Sequence, residues 1–280
     1  MKARTLLRWA FYGLLSLVLV YTVFPYYWAI ASSLKGNEEL FSTPVTYWPL
    51  RPTLENYCLV LTSKEFLYAL LNSTIVCCAV VALSLLVGSL AAYALGRLRF
   101  RGQTLMLYVV LSMTMFPQIA VLGGLYTMIN HLGLFNRLPA LIISYLLFTL
   151  PFTVWVLTSF FGALPRELEE AALVDGASPM VTFWVVLLPL VSPALVTTGL
   201  LAFIGAWNEF LYALSFMQTP DKYTVTRAIF GFTGVTGSAF EIPWGQMMAA
   251  TVVVTIPLIV LVLYFQNRII AGLTGGAVKG

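Results

Sequence analysis

The sequence is poor in charge. Asp, Glu, Lys and Arg together make up 9% of its 280 residues, against roughly 25% in an average soluble domain. A water-soluble globule of this size needs polar groups to cover its surface, and so that class is excluded. Histidine occurs once and cysteine three times. Three cysteines form no closed pairing set, two of them (Cys77 and Cys78) lie inside an apolar run, and none shows metal-ligand spacing. No G-x-x-x-x-G-K-[ST] loop occurs, so the chain has no recognisable nucleotide site of its own. Low-complexity tracts are missing too, as is any polar stretch long enough for an independent soluble domain.

Apolar sequence is abundant: 60% of the residues are hydrophobic. Six stretches are long enough to cross a hydrocarbon core of about 30 Å, which takes roughly 20 helical residues. They are approximately Trp9–Ala31, Tyr68–Gly96, Leu105–Ile129, Pro139–Phe161, Pro193–Met217 and Met247–Gln266. Each is expected to be helical, because a backbone in lipid must satisfy its own hydrogen bonds. The expectation is an all-α membrane protein of six transmembrane helices, with residues 1–280 forming one membrane domain. The first stretch follows Lys2, Arg4 and Arg8 and contains Ala29-Ile30-Ala31, a crude signal-peptide pattern. Its apolar part exceeds the 7–15 residues of a signal core, which favours a retained helix.

The net charge of +4 and the pI near 9.0 could point to nucleic acid. The basic residues, however, fall mainly in short loops, where they read as topology signals. With the N-terminus inside, cytoplasmic segments carry nine Lys or Arg and external ones six, and Arg97, Arg99 and Arg101 crowd one short loop. The positive-inside rule then places both termini in the cytoplasm. Two external loops are substantial, about Ser32–Leu67 and Gln218–Gln246. One cytoplasmic loop, about Gly162–Ser192, is long.

That cytoplasmic loop reads as two short helices around a glycine hinge. Pro165 suits a first helical position, and Glu167, Glu169 and Glu170 favour the positive end of the helix dipole. Ala171, Ala172 and Leu173 continue the helix, and Gly176 can adopt the left-handed conformation that ends it. Ser178 caps a second helix with Pro179 at its start, and Met180, Phe183, Trp184 and Leu187 give it an apolar side. Pro189 ends it.

The run Glu170-Ala171-Ala172, three residues, Gly176, nine residues, Val186-Leu187-Leu188-Pro189 resembles the EAA loop of bacterial ABC import permeases. Only Val186 in place of Ile departs from the family pattern EAA-x3-G-x9-I-x-LP. The resemblance implies a type I importer permease fold with a cytoplasmic coupling helix between the fourth and fifth spans. Glu170, Ala171, Ala172, Asp175, Gly176 and Pro189 would then form the element that docks on a partner ATPase. It also implies a second permease subunit, two ATPase subunits that hold ATP and Mg, an external substrate-binding protein and no cofactor on this chain. The chain itself would not be an enzyme, and it would lie in the inner membrane with no nucleic-acid partner.

Further motifs resemble the carbohydrate-uptake branch of that family: Ala206-Trp207-Asn208-Glu209-Phe210, Asn72-Ser73, Ala91-Ala92-Tyr93-Ala94 and the glycine-rich tail from Gln266 to Gly280. They imply a sugar as solute, and similarity along the chain suggests an α-linked disaccharide such as trehalose or maltose. In those relatives the tail reaches the ATPases, which would involve Gly275, Gly276 and Lys279. In related transporters the second external loop projects towards the binding protein, and by that resemblance Gly231, Phe232, Thr233 and Gly234 would be involved.

Glu209 is the only acidic residue within an expected span, and an ionisable group there needs a partner or water. It could face the pathway, act as a gate, pair with the partner permease or reach interfacial water. Trp207 and Asn208 could contact a sugar or serve helix packing, and packing suits Trp207 better. Tyr26, Tyr27 and Trp28 read as an interfacial aromatic belt. His131 reads as solvated. An ion-coupled secondary transporter would be expected to show paired intramembrane ionisable residues, and an intramembrane enzyme a midplane cluster of His, Asp, Glu or Ser. Neither pattern is visible.

Overall fold

The computed structural model describes the backbone of residues 2–232 and 242–275, with side chains within 7–232 and 242–268. Among these residues every regular element is a helix. α1 (Lys2–Ser33) is followed by the short α2 (Asn37–Leu40) and α3 (Glu55–Thr62), then α4 (Lys64–Arg97), α5 (Gln103–Met113), α6 (Gln118–His131) and α7 (Leu138–Ala163). α8 (Glu167–Val174), α9 (Pro179–Val181), a π-helical turn (Thr182–Leu187) and α10 (Leu188–Leu190) lead into α11 (Ser192–Trp207). α12 (Leu211–Phe216), a 3-10 turn (Pro220–Lys222), α13 (Val225–Gly231) and α14 (Trp244–Gly275) follow.

Four of the described helices are long and apolar enough to cross a membrane: Leu7–Ser33, Lys64–Arg97, Leu138–Ala163 and Trp244–Arg268. The stretch expected as the third span is broken. α5 and α6 meet at 95° across Thr114–Pro117. Pro117 explains the break, because it lacks an N–H and biases the residue before it away from helix. Pro179–Leu190 and α11 meet at 78°. Among the described residues, up to six stretches are thus long and apolar enough to cross a membrane if each bent pair counts as one. The expected fifth span is also interrupted, because α11 stops at Trp207 and α12 starts at Leu211.

Two compact units divide the chain. One comprises Met1–Leu67 and Ile229–Pro257. In it the loop after α1 is held by buried polar groups. Asn56 donates to the carbonyls of Ser33 and Lys35 at 3.0 and 2.9 Å. Lys35 is 2% exposed, donates to the Thr46 carbonyl, and lies 5.1 Å from the centroid of the Trp28 ring. Two residues of the expected aromatic belt turn towards this loop. Tyr27 stacks on Trp48 and donates to the Tyr47 carbonyl at 2.7 Å, and Trp28 meets Tyr47 edge-on. Tyr26 stays exposed. α1 itself is almost unpacked, with only 6% of its apolar window buried.

The other unit comprises Tyr68–Ala228 and Leu258–Gly280. One seam of this unit joins α4 to α7 through small residues at every fourth position: Ser84, Gly88, Ala92 and Gly96. Ser84 and Thr149 share a hydrogen bond of 2.8 Å. A β-carbon added at Gly88 would lie 2.7 Å from Thr153 Cγ2, and one at Gly96 would lie 2.9 Å from the Thr158 carbonyl oxygen. Without a hydrophobic drive in lipid, such close approach is how membrane helices gain packing. Pro151 inside α7 removes the backbone donor for the Leu147 carbonyl four residues back, and threonine hydroxyls on either side of it bond other carbonyls of the helix. Thr149 and Thr153 donate to the carbonyls of Tyr145 and Thr149 at 2.9 and 2.8 Å.

Candidate functional site: the α8–α10 segment and the broken fifth stretch

α8 starts at Glu167 rather than at Pro165, which lies just ahead of it. Its first turn is acidic, through Glu167, Glu169 and Glu170, as the dipole favours. It ends in a Schellman motif: Gly176 N–H donates to the Leu173 carbonyl at 3.1 Å and Ala177 N–H to the Ala172 carbonyl at 2.9 Å. Gly176 has φ +82°, the left-handed conformation expected of it. Ser178 then caps α9, accepting from Val181 N–H at 3.4 Å, with Pro179 in the first turn.

Beyond Val181 the helix is not uniform. Pro189 has no N–H for the carbonyl four residues back, and its ring presses on that carbonyl in a regular α-helix. A π-helical turn over Thr182–Leu187 widens the helix just ahead of it. Helical structure then continues to Leu190, and the bend falls at Val191 instead of at Pro189.

The segment has an inward and an outward side. Phe183 and Leu187 are fully buried with Ala92, Leu157, Phe161, Val191 and Ala194. The Phe183 ring lies 5.2 Å from Tyr93 and 5.9 Å from Phe161. Met180 and Trp184, expected on the same apolar side, remain 57% and 43% exposed. On α8, Ala172 is buried, whereas Glu170, Ala171, Val174, Asp175 and Gly176 are open. The two alanines of the EAA run thus face opposite ways.

A contact that the sequence did not reveal fixes the start of this segment. Arg97, at the end of α4, donates from Nε and Nη2 to Glu169 Oε1 and Oε2 at 3.1 and 2.9 Å. It also donates from Nη1 to the Leu164 carbonyl at 2.7 Å and from Nη2 to the Pro165 carbonyl at 3.1 Å. In the sequence Arg97 was legible only as one of three basic residues marking a cytoplasmic loop. Its place nearest the apolar run was the one signal setting it apart from Arg99 and Arg101.

The Trp207–Phe210 run carries its three named residues into different surroundings. Trp207 is 3% exposed and stacks on Phe203 with centroids 5.5 Å apart, which fits packing. Asn208 is exposed and its amide donates to the Ile204 carbonyl at 2.9 Å. Glu209 is 6% exposed, and its carboxylate accepts from Tyr212 N–H at 2.7 Å and Ala213 N–H at 3.2 Å. It caps α12 and satisfies backbone donors freed by the helix break. Thr226 donates to the Glu209 carbonyl at 2.6 Å. The interruption of the fifth stretch is thus sealed by groups on both sides of it.

Gly231 ends α13, and Phe232 lies with its ring centroid 6.3 Å from that of Phe66. Thr233 and Gly234 lie outside the described residues, as do Gly276 and Lys279. Gly275 is the last residue of α14. No group of three or more His, Cys, Asp or Glu residues is placed to hold a metal among the described residues.

Residues 84–274 match the family model of the binding-protein-dependent transport system inner membrane component. The chain is 42% identical over 266 residues to the trehalose/maltose transport system permease protein MalG of Thermococcus litoralis, covering 94% of each chain. It is 41% identical over 280 residues to the trehalose transport system permease protein SugB of Mycobacterium tuberculosis, covering 100% of each. It is 38% identical to the sulfoquinovosyl glycerol transport system permease protein SmoH of Agrobacterium fabrum, over 95% of this chain and 92% of that one. Its fold matches a chain of a bacterial ABC transporter that imports alginate, with a TM-score of 0.84 at 21% identity, over 95% of this chain and 98% of that one. On these grounds, the chain belongs to the inner-membrane permease family of binding-protein-dependent ABC importers.

Proposed function

We propose that this permease forms half of the channel of a sugar importer, with an α-linked disaccharide such as trehalose or maltose as solute. The names of its relatives support the solute class. The coupling reading rests on one observation, the two-sidedness of the α8–α10 segment. Its inner side is locked into the membrane helices by Phe183, Leu187 and Arg97. Its outer side presents Glu170, Ala171, Val174 and Asp175, which are exposed among the described residues. A rigid element with a free acidic and small-residue face suits transmission of a partner's movement.

In this reading α5 with α6 forms one crossing and α11 with α12 another, giving six spans with both termini in the cytoplasm. A solute-loaded external binding protein delivers sugar to the outward mouth. Two ATPase subunits bind ATP and Mg and close, and the α8–α10 segment moves with them. The spans of this chain and of a second permease then alternate between outward- and inward-facing states. ATP supplies the bias because it binds the closed ATPases better than the open ones. The exposure of α1 suits contact with that second permease. Glu170 and Ala171 would meet the ATPase, while Ala172 would back them from the permease side. Glu209 has its carboxylate engaged in capping, which favours a supporting role over a pathway one.

The test is affinity purification of the tagged chain from its native membrane, followed by uptake assays with labelled trehalose and maltose. We expect an ATPase, a second permease and a binding protein to accompany it, and Glu170→Lys to abolish uptake. Purification without an ATPase, together with unchanged uptake by Glu170→Lys, would refute the coupling role. Uptake of neither disaccharide would refute the solute assignment alone.

A further inference from the structure

The α8–α10 segment is joined to α7 and α11 by the chain itself, but to α4 only by side chains. Three helix ends meet at that junction. Arg97 is the C-terminal residue of α4, Leu164 and Pro165 follow the C-terminus of α7, and Glu169 lies in the first turn of α8. One guanidinium serves all three. It donates to the Leu164 and Pro165 carbonyls, which lie where a helix end leaves acceptors without intrahelical donors. Its cation also stands at the negative ends of the α4 and α7 dipoles. The same group holds both oxygens of Glu169 in a fork that a lysine cannot reproduce.

The junction is preorganised and sheltered. Gly96 allows the α4 and α7 backbones to approach so closely that a β-carbon there would meet the Thr158 carbonyl oxygen at 2.9 Å. The Arg97 side chain is 4% exposed and that of Glu169 is 23% exposed, so water screens the pair little. One turn earlier on α4, Tyr93 lies against Phe161 and Phe183. Arg99 and Arg101, by contrast, are exposed.

We infer that Arg97 is a latch that makes α4 move as one body with the coupling segment, so that displacement of α8 reaches the second span as well as those continuous with the loop. Arg97 is a positioning residue: it touches neither ATP nor solute. This inference rests on the coupling role proposed above and adds the route by which movement reaches α4. Without the latch the ATPases still dock, because the open face of α8 is intact. Their closure then drags α7 and α11 past α4, and ATP is spent without full alternation.

The experiment uses the complete transporter, with its partner permease and ATPases, in proteoliposomes with binding protein outside and trehalose as the probe. For Arg97→Gln we expect wild-type retention of the ATPases on the affinity column. ATP hydrolysed per trehalose imported should rise about tenfold, within the range of ordinary coupling energies. Arg97→Lys and Glu169→Gln should fall between it and the wild type. An unchanged ratio in Arg97→Gln overturns the latch and leaves the docking face standing. Loss of ATPase retention in that variant also overturns it, because Arg97 would then shape the docking face. A wild-type complex that retains no ATPase defeats the coupling reading itself.

A reversible bridge guards against a variant that merely folds poorly. In a background of Cys58→Ser, Cys77→Ala and Cys78→Ala, the pair Arg97→Cys and Glu169→Cys is joined by a short bis-methanethiosulfonate linker. Coupling should be poor before linking, recover when the bridge forms and be lost again on reduction. A bridged transporter that stays uncoupled overturns the latch.

Discussion

Two loops of this permease are each built around a buried cation, and they solve the problem differently. In the segment after α7, Arg97 meets a carboxylate and two backbone carbonyls. In the loop after α1, Lys35 meets one carbonyl and the face of an indole. The first arrangement satisfies a planar fork of donors and neutralises the charge. The second gives the ammonium a ring quadrupole and a dipole as its contacts, and the Glu39 carboxylate acts on it by charge without forming an ion pair. The comparison teaches that burial alone does not tell how firmly a loop is held. The coupling role proposed for the α8–α10 segment would call for the paired, multidentate anchor.

Neutral substitutions of matched shape sharpen this contrast. Arg97→Met leaves Glu169 and two carbonyls without their donor in a sheltered place. We expect a loss of about 3–5 kcal/mol, the range for breaking a buried pair from one side. The apparent unfolding temperature of the detergent-solubilised complex should fall by roughly 2–4 °C for each kcal/mol. Equal losses for Arg97→Met and Lys35→Met would erase the distinction between the loops.

The seam that brings Arg97 to its partners is the next place to press. Gly96→Ala drives a β-carbon onto the Thr158 carbonyl and close to Gly162 N, both backbone atoms of α7. At Gly88→Ala the nearest atoms belong to side chains, Thr153 Cγ2 at 2.7 Å, Thr153 Cβ at 3.3 Å and Leu150 Cδ1 at 3.7 Å, which give more readily than backbone. Overpacking of about 1–3 kcal/mol is expected at Gly96 and less at Gly88. Thermal unfolding of the two variants side by side checks the order, and the reverse order would show that α4 slides on α7 without cost.

Lys35→Met keeps an unbranched apolar side chain and removes one donor and one cation–ring contact. About 1–2 kcal/mol is expected. Limited proteolysis at residues 36–50 would detect the loosening more directly than global unfolding.

The sequence made the hinge and the membrane helices legible because both depend on local rules. Long apolar runs must be helices in lipid. Gly176 alone in that loop had the freedom to end α8, and Ser178-Pro179 announced the next start. The break at Pro117 carried a local signal too, in the proline itself, although hydropathy alone reads through it. Glu209 and Arg97 were different. Their roles depend on partners that only the fold brings near: the free N–H groups of Tyr212 and Ala213 in one case, the end of α7 in the other. A charge in an apolar stretch signals that something pays for it, but not what. The alternation of Ala171 and Ala172 was likewise hidden, since both suit close contact and only packing against the permease decides which faces inward.

The smallest expected effect belongs to the loop after α1 and depends on pH. Glu39 Oε1 accepts from Leu50 N–H at 2.9 Å and from the Thr46 hydroxyl at 2.8 Å, tying together the same stretch that Lys35 reaches. The hydrogen bond from the Leu50 backbone, with help from Thr46, holds the Glu39 carboxyl below its ordinary value. A carboxyl so depressed contributes stability that is fully present above the unfolded-state value, about 4.3 for Glu, and is lost as pH falls through the folded-state value. Proteolytic susceptibility of residues 36–50 should therefore stay flat from neutral pH down to about 4.3 and rise only below it. Glu39→Gln should remove that acid dependence while loosening the loop slightly at neutral pH. A rise in cleavage of the first loop already near pH 6 would mean that some group other than Glu39 governs it.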